Sequence, residues 1–104
     1  MSKELSVLPR LYDLYAPLLT ERQRELFVFY YNQDLSLSEI AENTGISRQG
    51  VHDAVKNAET ALLQYEERLG FLMRLDRAAD ALNILAESTE EPLRTRIAEI
   101  SAML

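Results

Sequence analysis

Residues 37–56 read LSEIAENTGISRQGVHDAVK. The segment has the grammar of two short helices joined by a sharp turn. Ser36 precedes it as an N-cap, and Glu39, three residues on, completes a capping box. A short helix then runs to Thr44 and stops at Gly45, the residue type that best tolerates the left-handed backbone of a tight turn. Ser47 caps the helix that follows. Ala41 is small where the two helices would cross, and Ile40, Ile46, Val51 and Val55 recur at spacings that turn them inward. The outward positions are then Arg48, Gln49, His52, Asp53 and Lys56. This is a helix-turn-helix, a unit whose second helix can enter a major groove by its N-terminal residues.

Upstream, Leu8, Leu11, Tyr15 and Leu18 stand at helical spacing, with Pro9 near the start and Pro17 as the expected stop. Thr20 and Gln23 form another capping box. The helix it opens carries Leu26, Phe27, Phe29, Tyr30 and Tyr31, whose rings suit a core better than a base-stacking platform because no Lys or Arg is interleaved. Asn32-Gln33-Asp34 reads as a polar turn. Downstream, the helix begun at Ser47 should continue to Leu69, ahead of Gly70. Val51, Val55, Ala58, Leu62, Tyr65 and Leu69 mark it with a heptad-like stripe. Leu75, Ala78, Leu82 and Leu85 mark the next helix. After breaks at Ser88-Thr89 and Pro92, Leu93, Ile97, Ile100 and Leu104 mark the last. No segment has the period of a strand. The expected architecture is all-α: one domain over 1–104, with a helix-turn-helix core over 1–70 and a helical tail over 71–104. Leu26, Phe27, Tyr30, Ile40, Ala41, Ile46, Val51 and Val55 should share one core.

Composition narrows the function. Of 104 residues, 47% are hydrophobic and 27% charged, ordinary values for a globular chain. No apolar run is long enough to span a bilayer, and the opening MSKELS, with Glu4, does not suit a signal peptide. There is no cysteine, hence neither disulfide nor thiolate metal site; the expected home is the cytoplasm. The net charge is −6, and it is spread over the chain: residues 1–35, 36–70 and 71–104 carry −1, −3 and −2. No segment is basic, whereas a protein that grips DNA through phosphates normally shows a basic face.

Neither catalysis nor a cofactor is expected. His52 is the only histidine, and no nucleophile or orienting partner accompanies it. Asp76 and Asp80, like Glu87 and Glu91, lie one helical turn apart, but such pairs read first as a solvated face rather than a cation site. A Glu-x-x-His metal signature and a glycine-rich phosphate loop are both missing from the sequence.

Residues 19–61 resemble region 4 of bacterial sigma factors, above all in LSLSEIAENTGISRQGVHDAV at 35–55. The aromatic-rich helix before LSLSEIAE, the ISRQGV turn and the acidic helical tail together resemble the YlxM family over nearly the full length, most strongly at 20–70. These are helix-turn-helix proteins of Gram-positive bacteria, proposed to act in the signal recognition particle pathway. The resemblance implies an all-helical, sigma-like fold and a regulatory role. The chain departs from the sigma pattern at Asp53, where a donor would help DNA binding, and at Gly50. That glycine costs about 1 kcal/mol relative to Ala in a helix interior; it either permits a close approach to the backbone or, the favoured reading, fits under the preceding helix.

The leading reading is a DNA-binding regulator in which Arg48, Gln49 and His52 face the groove and Ser47 and Lys56 approach phosphates. Arg and Gln suit paired hydrogen bonds to guanine and adenine edges. A rival reading is an adaptor that binds a protein or ribonucleoprotein of the secretion machinery, for which an acidic surface would suit a basic partner. A purely structural dimerisation module ranks third. A homodimer through the C-terminal helices is expected, because the apolar stripes exceed what short partner helices would cover.

Overall fold

The computed structural model describes residues 7–104; residues 1–6, including Glu4 and the start of the expected core domain, lie outside the described residues. All regular structure among the described residues is helical. The chain divides into two compact units, one ending at Leu69 and the other spanning Gly70–Leu104.

The first unit holds α1 (Val7–Tyr15), a 3₁₀ turn (Ala16–Leu18), α2 (Glu21–Tyr31), α3 (Leu37–Thr44) and α4 (Arg48–Leu69). The local signals work as read. Thr20 and Gln23 exchange backbone-to-side-chain hydrogen bonds at 2.9 and 3.1 Å, and Ser36 and Glu39 do the same at 3.1 Å each. Pro17 sits in the 3₁₀ turn, two residues after α1 has ended at Tyr15. Arg24 reaches back from α2 and donates to the carbonyls of Leu19 and Ala16, at 2.6 and 3.3 Å. A cation is thereby spent on holding the α1–α2 corner.

α4 is the spine, and α1, α2 and α3 each pack on it. Val51 and Val55 close a cluster with Leu26, Tyr30 and Ile40, while Ala41 and Ile46 pack at its edge, half-buried. Ile46 belongs to the turn, so one side of it faces solvent. Further along α4, Ala58 and Leu62 are fully buried, as are Leu8, Leu11 and Tyr15 of α1. Phe27 is fully buried but lies outside the Val51 cluster. Its ring instead stacks on Tyr12 at 4.7 Å and on Tyr31 at 4.4 Å. The aromatic faces of α2 are therefore engaged with one another, which accounts for that cluster as core. The α4 stripe from Val51 to Leu62 is covered within the chain, by three helices rather than one.

Tyrosine hydroxyls tie the first unit together at its rim. Tyr15 donates to Glu66 at 2.7 Å, Tyr65 donates to the Leu18 carbonyl at 3.1 Å, and Tyr31 donates to Glu59. Burial, reinforced by the Glu59 carboxylate, raises the Tyr31 phenol well above its ordinary range.

The second unit is a hairpin of α5 (Phe71–Glu87) and α6 (Leu93–Ala102), which pack on each other. Only Leu72 and Ile97 are buried in it. The covered face of α5 runs through Leu72, Leu75, Ala79 and Leu82; Ala78 and Leu85, expected on the inward stripe, are exposed. The pattern Leu75-Ala78-Leu82-Leu85 straddles two faces, and α6 takes only one. Ile84, Leu85, Leu93 and Ile100 are each about half exposed or more. Among the described residues no helix is long and apolar enough to cross a membrane.

Candidate nucleic-acid interface

The turn between α3 and α4 is fixed by four small or polar residues. Gly45 adopts φ 74° and donates to the Ala41 carbonyl at 3.0 Å, closing α3. Thr44 adds two bonds: its hydroxyl donates to the Ile40 carbonyl at 2.7 Å and accepts from the Ile46 amide at 3.3 Å. Sequence reasoning passed over Thr44, although a hydroxyl at the last helical position is a recognisable signal of this kind. Ser47 accepts from the Gly50 amide at 3.0 Å and so caps α4. The fourth is Gly50 itself. A Cβ there would stand 2.9 Å from Ile46 Cγ2 and 3.0 Å from Ser47 Oγ. The glycine is thus required by the turn residues just before it, not by a fit beneath the preceding helix.

With α4 anchored by Val51 and Val55, its opposite face is set. Gln49, His52, Asp53 and Lys56 lie away from that stripe, whereas Arg48, three residues before Val51 and seven before Val55, stands in line with it and is exposed at the helix start. Arg48, Gln49, Asp53 and Lys56 are exposed, and His52 is half-exposed. Of the five residues picked from sequence, Gln49, His52 and Lys56 lie on the side of α4 away from the valines, and Arg48 is exposed at its first turn. Ser47, at the helix start, is exposed too, but its hydroxyl is already engaged as the cap.

Asp53 contacts two of these side chains. Gln49 Nε2 donates to Asp53 Oδ1 at 2.9 Å, and His52 Nδ1 lies 3.3 Å from the same oxygen. Two of the three candidate groove-facing residues, Gln49 and His52, thus contact a carboxylate, while Arg48 does not. Arg48 and Lys56 make no ion pair with any described residue, which leaves two uncommitted cations in these turns of α4. The chemistry available is bidentate hydrogen bonding from Arg48, amide hydrogen bonding from Gln49 once released, and a point charge from Lys56. Among the described residues no group of His, Asp and Glu is arranged to hold a metal ion.

Comparison with known proteins accords with this geometry. The family model UPF0122, described as "Putative helix-turn-helix protein, YlxM / p13 like", matches residues 2–100. A UPF0122 protein of Symbiobacterium thermophilum is 46% identical over 85% of this chain and 82% of its own length. One of Thermoanaerobacter sp. (strain X514) is 41% identical over 95% and 91%. A third, of Halalkalibacterium halodurans, is 39% identical over 90% and 84%.

Proposed function

Because the chain belongs to the UPF0122 family of YlxM / p13-like helix-turn-helix proteins, we propose that it is a non-enzymatic, cytoplasmic regulator that binds duplex DNA through the first three turns of α4. The observation that carries this reading is the accessible start of α4, whose capped first turns bear Arg48, Gln49, His52 and Lys56 within nine residues. In a major groove, Arg48 and Gln49 would read base edges, His52 would lie beside them, and Lys56 and the Ser47 end of the helix would meet phosphates.

Affinity per copy should be low. With Lys56 the one side-chain cation meeting a phosphate, the salt dependence should be only about −1 in log K against log salt, far shallower than for proteins that contact many phosphates. Two copies with recognition helices about 34 Å apart would combine their contacts on successive turns of DNA. A selection against random duplexes at low ionic strength tests the reading. Wild type should enrich a sequence, and Arg48→Ala should weaken binding to it by about 1–3 kcal/mol while the helical circular dichroism stays unchanged.

A second reading draws support from the charge. With a net charge of −6 and an exposed Asp53 among these side chains, the same surface suits a basic protein or ribonucleoprotein, such as a component of the secretion machinery in the signal recognition particle pathway. Failure of wild type to enrich any duplex would favour this adaptor role.

A further inference from the structure

The hairpin unit leaves one face of α5 uncovered, and that face has a particular order. Met73, Arg77, Asp80 and Ile84 follow one another at spacings of four, three and four, within about 60° of the helix circumference. All four are exposed, Met73 by 48% and Ile84 by 68%. Arg77 and Asp80 make no ion pair with any described residue. Read forwards, the face is apolar, cation, anion, apolar. Read backwards, it has the same shape with its charges exchanged.

That order selects its own occupant. A partner presenting acidic groups would meet Arg77 but be repelled by Asp80, and a basic partner would suffer the reverse. A second α5 running antiparallel places Met73 opposite Ile84 and Arg77 opposite Asp80, twice over, as a two-fold axis requires. We propose that two copies of this chain associate through antiparallel α5 helices, with Met73 of each copy against Ile84 of the other and Arg77 against Asp80. The hairpin gives a reason for association: only two of its side chains are buried, too small a core for so short a unit. The seam is independent of whether α4 binds DNA.

The charge order supplies the test. In a homodimer of R77D, like charges face each other at both pairs, and the same holds for D80R. Each variant alone should therefore dissociate, its dimer dissociation constant rising by about tenfold or more. In an equimolar mixture, one copy brings two anions and the other two cations, so the mixture should recover the dimer. Sedimentation velocity at tens of micromolar, with circular dichroism to verify helicity, reads all four samples. An independent reading uses the absence of cysteine. M73C mixed with I84C should form interchain disulfides under mild oxidation, whereas M73C alone should not, its two sulfurs lying about 16 Å apart along the seam. A monomeric wild type, a dimer indifferent to R77D and D80R, or a mixture of folded variants that stays monomeric would each overturn the proposal.

Discussion

Gly50→Ala is the sharpest perturbation of the turn. In most helices this substitution stabilises, by up to about 1 kcal/mol, because alanine restricts the unfolded chain and suits the helix. Here the added Cβ would stand 2.9 Å from Ile46 Cγ2 and 3.0 Å from Ser47 Oγ. Ile46 is β-branched and packs against the Val51 and Val55 cluster, so its methyl cannot swing away without disturbing the core. Overpacking of that kind costs about 1–3 kcal/mol. Pushing the Ser47 hydroxyl off the Gly50 amide weakens a cap worth about 1 kcal/mol. Set against the gain in propensity, the net is a loss of about 1–3 kcal/mol. For a unit of this size, that lowers Tm by roughly 4–8 °C per kcal/mol. Urea denaturation followed by circular dichroism measures it. Repeating G50A on an Ile46→Leu background, which lacks the offending Cγ2, should recover about 1 kcal/mol as a coupling between the sites. A G50A protein more stable than wild type would refute the steric reading and reopen the possibility that Gly50 serves a close approach by a ligand.

Asp53→Asn removes the charge that holds Gln49 and His52; the variant should bind DNA several-fold more tightly at low salt, with the advantage shrinking as salt rises. Fluorescence anisotropy on one duplex decides it, and weaker binding by the variant would show that Asp53 contacts the ligand productively. Tyr31 makes stability depend on alkaline pH. Its folded phenol titrates above the unfolded value of about 10, so the stabilisation is complete below that pH and is lost as pH rises beyond it. Urea midpoints at pH 8 and pH 11 should therefore diverge more for wild type than for Tyr31→Phe, and equal slopes would count against the Tyr31–Glu59 bond.

The parts of this fold legible in sequence are those decided within a few residues. Ser36 with Glu39, Thr20 with Gln23, and Gly45 with its positive φ each name a backbone donor or conformation that only a near neighbour can satisfy. The helix-turn-helix lay almost wholly in such signals. What was not legible depends on distant partners. The stripe from Val51 to Leu69 looks the same whether another chain covers it or, as along Val51–Leu62, three helices of its own unit do. Phe27 reads as a core residue, but nothing local says that its ring pairs with Tyr12 rather than joining Val51.

The site follows the same division, and this bears on how the face works. Outward placement of Gln49, His52 and Lys56 follows from helical period once Val51 and Val55 are inward, whereas Arg48, in line with those valines by period, is exposed at the first residue of the helix. What period alone does not give is that Asp53 engages two of those side chains, because Gln49 and His52 each had solvent as an alternative partner. The consequence is an interface that begins partly neutralised. Any anionic ligand must compete with an intramolecular carboxylate for Gln49 and His52, while Arg48 and Lys56 alone draw it in. If α4 binds DNA as proposed, such a face would discriminate by exchange: a base edge that offers Gln49 a paired acceptor and donor could replace Asp53, whereas a bare phosphate would meet the carboxylate's repulsion. On that reading, weak non-specific attraction and a selective final contact would share one cause, the Asp53 carboxylate among the exposed side chains of α4.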